Sequence, residues 1–385
     1  MDPLISKLPN VGTTIFTIMS ALARKHKAVN LSQGFPDFDC SPELQERVAY
    51  HLSHGKNQYA PMAGLPALRE AIQSKIQNIY NLQVDHNEEV TIVAGATQGI
   101  FTAIQAFIRI GDEVIIIEPA YDCYRPAVDL VGGITKAYQL SHPDYKIDWS
   151  EIEEMISSRT KMIVVNTPHN PIGKVLSKDD LQHLERISEK HDLIVLSDEV
   201  YEHLIYDRKQ HESVLNYPNL YKRSIAVYSF GKTFHVTGWK MGYVVAPPRF
   251  TVEFRKVHQF NVFCVNSFVQ YGLADYMADP FTYLSLSDFY QRKRDVFTDA
   301  MKTSKFKALS SEGTFFQLYD YSALSNLDDI TFSKKLTTEH GVAVIPLSPF
   351  RNEPSTDKVV RFCFAKKEET LLAAADKLSK IAMVL

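Results

Sequence analysis

The sequence predicts an α/β protein: a three-layer domain built around a mostly parallel central sheet, with a smaller α+β domain beside it. Three observations carry that reading. Short β-branched runs recur along the first two thirds of the chain and are apolar on both faces, as strands of a covered parallel sheet are. Helix-period segments lie between them, and such alternation places helices on both sides of a sheet. From about Asp279 the pattern changes to a helix, then strands that no longer alternate with helices, then a closing helix.

The strand runs are Val90 to Ala94, Val114 to Ile117, Met162 to Val165, Leu193 to Leu196 and Ile225 to Tyr228. Helical patterns cover Thr97 to Ile110, roughly Asp122 to Leu130, and Lys178 to His191. The last of these is preceded by Ser177, with Asp180 three residues on, a spacing that lets each side chain satisfy the other's free backbone N–H. Gly242 to Ala246 follows Ser229 by only thirteen residues, which leaves little room for a crossover helix, so this strand is expected to run antiparallel. In the second part, a helix is expected around Phe289 to Lys302, strands near Phe315 to Tyr319, Val342 to Ile345 and Val359 to Phe364, and a helix from Glu368. The first 45 or so residues hold few strand signals and are expected to cross over and join it. The expected division is therefore a large domain over residues 46–280 and a small domain made of 1–45 plus 281–385.

At 385 residues the chain is long enough for two domains of the usual ~100 to 200 residues. With 45% hydrophobic and 23% charged residues it belongs with globular proteins, which excludes disordered, collagen-like and coiled-coil classes. The net charge of −3 provides no field to draw the chain to nucleic acid or to an anionic membrane, so small molecules and further copies of the chain are the expected partners. Cys40, Cys123, Cys264 and Cys363 stand singly, without CxxC spacing, so neither a disulfide framework nor a zinc ribbon is expected. The basic cluster Arg24 to Lys27 follows the N-terminal apolar stretch, the reverse of a secretory signal. No apolar run approaches the ~20 residues of a membrane helix, and a cytoplasmic location is expected.

The segment richest in chemistry is Ser229-Phe230-Gly231-Lys232-Thr233-Phe234-His235-Val236-Thr237-Gly238-Trp239-Lys240, a glycine-punctuated loop at the carboxyl end of a strand. Open α/β sheets bind ligands there. A lysine with a hydroxyl three residues before it and a second lysine eight after suits a phosphorylated carbonyl cofactor: one amine forms a Schiff base while hydroxyl and ammonium hold the phosphate. Taken alone, Lys232 and Lys240 read more readily as ordinary solvated loop lysines.

Other strand ends add to this one. Leu193 to Ser197 runs into Asp198-Glu199-Val200-Tyr201, and a carboxylate directly beyond an apolar strand needs a cationic partner. Met162 to Val165 ends in Asn166-Thr167-Pro168-His169-Asn170-Pro171-Ile172-Gly173, a proline-stiffened turn that presents the Asn170 amide. Each alone could be a strand-end cap or a turn residue. Val90 to Ala94 runs into Gly95-Ala96-Thr97-Gln98-Gly99 and a helix whose free N–H groups could cradle a phosphate. Val114 to Ile117 leads to Tyr121, whose ring could stack on a planar cofactor or simply pack in the core. His169, His203 and His235 lie near these segments without an HExxH or Cys/His grouping, so no metal is expected.

In combination these segments resemble the class I and II aminotransferases of fold type I, which depend on pyridoxal 5'-phosphate. The resemblance spans nearly the whole chain. It is nearest to bacterial methionine aminotransferases and their kynurenine/glutamine aminotransferase relatives, through Asn30 to Phe38, Asn57-Gln58-Tyr59, Asp198 to Tyr201, Ser229 to Lys240 and Arg361-Phe362-Cys363-Phe364. The resemblance implies that Lys232 holds the cofactor as a Schiff base and moves the substrate proton, that Asp198 keeps the pyridine nitrogen protonated, and that Tyr201 and Asn170 hydrogen-bond the phenolate oxygen. It implies Tyr121 on the ring face, and Ser229, Lys240 and the backbone of Ala96 and Thr97 on the phosphate, joined by Tyr59 of a neighbouring subunit. Arg361, with Asn170 and the Gly34 backbone, would hold the substrate carboxylate. Many relatives carry arginine at the position of Lys240, so here a point charge replaces a bidentate fork.

The expected activity is amino transfer from methionine or another neutral or aromatic amino acid to a 2-oxo acid, in a homodimer with shared sites. The segments expected near the side chain, Gly12 to Met19 and the neighbour's Tyr59 to Met62, contain no arginine, and Phe16 and Met19 offer an apolar lining. The alternative is a kynurenine/glutamine aminotransferase with cysteine-conjugate β-lyase activity. A cofactor-sensing regulator fused to a DNA-binding module is disfavoured, because the family-like region begins within the first 15 or so residues and the charge is −3. A dinucleotide-binding enzyme is disfavoured because Gly95 to Gly99 does not read GxGxxG.

Overall fold

The computed structural model describes residues 5 to 383. A short strand, β1 (Val29–Asn30), precedes a seven-stranded sheet formed by β2 (Val90–Val93), β3 (Glu113–Glu118), β4 (Ile134–Gln139), β5 (Thr160–Asn166), β6 (Ile194–Asp198), β7 (Ser224–Ser229) and β8 (Gly242–Val245). Their order across the sheet is β2-β8-β7-β6-β5-β3-β4. Neighbours are parallel except at β8, which is antiparallel to both β7 and β2, as the short connection from Ser229 requires.

Alternate residues of each strand enter separate cores, which is what makes three layers. Val114 and Ile116 of β3 pack with Ile100 and Ile104 on one side, while Ile115 and Ile117 pack with Leu181 and Leu184 on the other. Both faces are covered, hence the unbroken apolar runs. The helix Lys178–Lys190 starts with the expected reciprocal cap: Ser177 N–H donates to Asp180 at 2.7 Å and Asp180 N–H to the Ser177 hydroxyl at 3.2 Å.

The sequence reading misses β4. It is the edge strand beside β3, mostly half-buried, and its residues Ile-Thr-Lys-Ala-Tyr-Gln lack the two-faced apolarity of the inner strands. Boundaries move elsewhere by a few residues: helices run Ala96–Phe107, Tyr124–Leu130 and Leu286–Met301. The first stops early because Ile108 is already extended.

A second, antiparallel sheet has the order β12-β13-β10-β9, with β9 (Lys307–Ala308), β10 (Phe316–Asp320), β12 (Ile345–Pro346) and β13 (Val359–Cys363). The run expected as one strand over Val342 to Ile345 divides: β11 (Val342–Ala343) pairs in parallel with β1, and β12 pairs with β13. The helix Ile15–Lys25 packs on the helix Asp329–Glu339, so the N-terminal segment lies against the C-terminal third of the chain.

Candidate active site

One cavity lies at the carboxyl ends of β2, β3, β5, β6 and β7, where the strands of an open sheet give way to their connecting loops. Its walls include Gly95, Ala96 and Thr97 beyond β2, Tyr121 beyond β3, Asn170 beyond β5, Asp198 and Tyr201 at β6, and Ser229, Lys232 and Lys240 at β7. Residues expected at a site from five separate strand ends are thus brought to one place.

β7 gives way at Ser229 to a short helix, Phe230–Thr233, which carries Lys232 inward. Its ammonium donates to the Gly34 carbonyl at 3.0 Å and lies 5.2 Å from the Phe315 ring centroid and 5.7 Å from that of Tyr201. Desolvation lowers its pKa to about 8, with Arg361 and Lys240 pushing the same way against Cys363 and Asp198. An amine in this state is available as a nucleophile or base near neutral pH.

Asp198 closes β6 and is buried. Burial raises its pKa to about 6, although the Tyr124 hydroxyl donates to it at 2.6 Å and the Val200 N–H at 3.3 Å. Among the described residues no lysine, arginine or histidine forms an ion pair with it. Tyr201, three residues on, is buried edge-on against Phe315 and Phe316, and burial raises its pKa well above the ordinary phenol value.

The helix Ala96–Phe107 points its first turn at the cavity, and the leading N–H groups of a helix have no partner within it. Gly95 precedes it with φ of 80°, and a Cβ there would lie 3.2 Å from the Lys240 ammonium. The left-handed backbone requires glycine there, and a side chain would crowd the cation above it. Ser229 and Thr237 complete a pocket of hydroxyl, N–H and ammonium donors around this end of the cavity.

Arg361 comes from β13 in the other sheet and is 1% exposed. It donates through Nη1 to Asn170 Oδ1 at 2.7 Å and through Nη2 to the Ser32 carbonyl at 3.4 Å. The rings of Phe316, Phe350 and Phe16 stand 3.8, 5.3 and 5.5 Å from its guanidinium carbon. Burial lowers its pKa to about 10. Phe16 therefore meets the carboxylate-binding candidate, whereas Met19, expected beside it as lining, is fully buried in the core. Tyr59 is not brought to this cavity within its own chain: it is 83% exposed and packs edge-on against Phe263.

Three contributors escape the sequence reading. Asn166 accepts from the Asn170 N–H at 2.7 Å and donates to the Asp198 carbonyl at 2.8 Å, so it ties two site turns together. Tyr124 restrains Asp198, and Thr237 lines the donor pocket. All three lie in segments whose chemistry is visible, but their partners are set by the strand order. Cys123 is half-buried; desolvation, with the Asp198 carboxylate adding to it, raises its thiol pKa and keeps it protonated, in keeping with a packing role.

The chain matches the family profile "Aminotransferase class I and II" over residues 26–378. It is 52% identical to a methionine aminotransferase of Escherichia coli over 383 residues, 99% of each chain, and 34% identical to kynurenine–oxoglutarate transaminase 3 of Rattus norvegicus, covering 96% of this chain and 88% of that one. A solved structure of an Escherichia coli methionine aminotransferase superposes with a TM-score of 0.96, covering 98% of this chain and 100% of that one. The N-succinyldiaminopimelate aminotransferase of Mycobacterium tuberculosis does so with 0.95 at 32% identity, covering 99% and 100%. With lysine, carboxylate and arginine gathered around one strand-end cavity, the chain belongs to the class I and II aminotransferases.

Proposed function

We propose that the protein uses pyridoxal 5'-phosphate to move the amino group of methionine, or of another neutral or aromatic amino acid, to a 2-oxo acid. The observation that carries the cofactor assignment is the buried Asp198 carboxylate without a cationic partner among the described residues, facing the same cavity as a lysine of lowered pKa. A protonated ring nitrogen would supply that partner. The donor pocket at Gly95, Ser229 and Lys240 fits a phosphate. When bound, the cofactor supplies an electron sink that makes the substrate Cα–H bond acidic.

The chain's own residues do the rest. Lys232 would supply the amine that holds the cofactor aldehyde and, once released by the substrate amine, would carry the proton lost from the substrate Cα. Asp198 would hold the proton on the ring nitrogen, and Tyr201 and Asn170 would donate toward the ring oxygen. Tyr121 would cover the ring, and Ala96, Thr97, Ser229 and Lys240 would hold the phosphate. Arg361 binds the substrate carboxylate with Asn170, and Gly34, whose carbonyl holds the free Lys232, borders that place.

Methionine is favoured over a dicarboxylic substrate on two grounds. The cavity's described lining residues include no arginine, Arg361 meeting them through its bond to Asn170, and the chain is 52% identical to a methionine aminotransferase. Relatives near one-third identity include kynurenine and aspartate aminotransferases, so that level of likeness leaves the substrate open, and kynurenine with β-lyase activity is the second reading. A homodimer is supported by Tyr59, Phe260 and Phe263, which are exposed aromatic rings. No helix of the described residues is long and apolar enough to cross a membrane. The division into 46–280 and 1–45 plus 281–385 is supported by the pairing of β1 with β11; its first boundary falls within the helix Pro42–Ser53, which packs on Ser267–Met277.

The test is an amino-acid panel scored by the absorbance change of the cofactor without acceptor. Conversion by methionine and none by aspartate supports the assignment. Conversion by kynurenine alone, or thiol release from a cysteine conjugate without 2-oxo acid formation, favours the second reading.

A further inference from the structure

Glu118 ends β3, is buried, and both its oxygens are engaged. One accepts from Arg125 at 2.9 Å; the other accepts from Gln139 at 2.6 Å and from the backbone N–H of Asn352 at 2.7 Å. Two residues on, the Ala120 N–H donates to the Phe350 carbonyl at 2.8 Å. Arg351, between Phe350 and Asn352, reaches back to Gln139 at 3.1 Å and to the Leu140 carbonyl at 2.8 Å. The turn Ser348–Phe350 is thereby tied to the end of the strand that delivers Tyr121 to the cavity. Phe350 in turn stands edge-on to Phe16 at 5.6 Å and faces Arg361.

We propose that Glu118 is a positioning residue for substrate recognition, which holds Phe350 over Arg361 through the Asn352 N–H. A ring held there keeps water from the guanidinium and limits its rotation, so the carboxylate of an arriving amino or 2-oxo acid meets one preset donor pair. Without the anchor, the turn and its ring can move away, and recognition weakens while the phosphate-holding end of the cavity, built beyond β2 and β7, is untouched. The inference rests on Arg361 as the carboxylate site.

The experiment compares Glu118→Ala, Glu118→Gln, Phe350→Leu and Arg361→Lys in the holoenzyme, with KM for amino donor and 2-oxo acid, kcat and cofactor dissociation constant as readouts. Glu118→Ala is expected to raise both KM values about tenfold, with kcat and cofactor affinity within twofold. Glu118→Gln, which keeps an acceptor for Asn352, should restore most of the loss. Phe350→Leu should raise KM similarly and add nothing in the Glu118→Ala background. Unchanged KM in Glu118→Ala, a fall in cofactor affinity equal to the rise in KM, or additive effects of the two substitutions overturns the proposal. Unchanged KM in Arg361→Lys overturns the carboxylate assignment itself, whatever Glu118 does.

Discussion

Arg361 of β13 and Asn170 of the turn beyond β5 are joined by a 2.7 Å hydrogen bond between sheets, with the Asn170 oxygen committed to the guanidinium. This fixes the orientation of both side chains before substrate arrives. Arg361→Lys would lose the planar fork and its stacking on Phe316 while keeping the charge. Steady-state kinetics should show kcat/KM lowered roughly 10- to 100-fold, mainly through KM, from a loss of about 1.5 to 3 kcal/mol of charge-assisted bonding.

Lys232→Ala should abolish turnover while the cofactor still binds non-covalently. In the wild-type apoprotein, the rate of cofactor attachment should rise with pH and level off above about 8, where the desolvated amine has lost its proton. A plateau only above the ordinary lysine value would contradict the lowered pKa. Peptide mapping of the reduced adduct checks the site directly: cofactor on another lysine refutes the assignment.

Asp198→Asn should separate stability from activity. The folded-state pKa of Asp198 is raised, so its protonated form is favoured in the fold, and its contribution to stability is full at low pH and lost as pH rises through about 6. At pH 8 the apoprotein carries an uncompensated buried charge, and the substitution should stabilise it by roughly 1 to 3 kcal/mol while kcat falls sharply. Thermal melts at pH 4 and pH 8 test this; the gain should appear only at the higher pH.

Tyr59→Phe should raise the cofactor dissociation constant, because Tyr59 is assigned to the phosphate of a neighbouring subunit. Mixing a Lys232→Ala subunit with a Tyr59-substituted one should regenerate one intact site per heterodimer. An active monomer in sedimentation at assay concentration would exclude shared sites.

Methionine should exceed aspartate by at least ~100-fold in kcat/KM. Burying its side chain contributes roughly 1.5 to 3 kcal/mol, and an unpaired aspartate carboxylate costs several more. Each ~1.4 kcal/mol is a factor of ten. Rates for the two donors with one fixed 2-oxo acid within tenfold of each other would refute the apolar pocket.

Local pattern alone determined that this chain is a covered, mostly parallel α/β sheet, and that Asn170, Asp198 and Lys232 stand at strand ends, because two-faced apolar runs mark inner strands and their ends are where the polar residues begin. The family motifs named the chemistry. What only the tertiary structure decided is which distant residues meet: Tyr124 with Asp198 across 74 positions, Arg361 with Asn170 across 191, and Phe350 with Phe16. Met19 and the strand β4 were misread or missed for the same reason. Burial and pairing depend on the order in which strands assemble and on which edge stays open, and neither is written in the spacing of neighbouring residues.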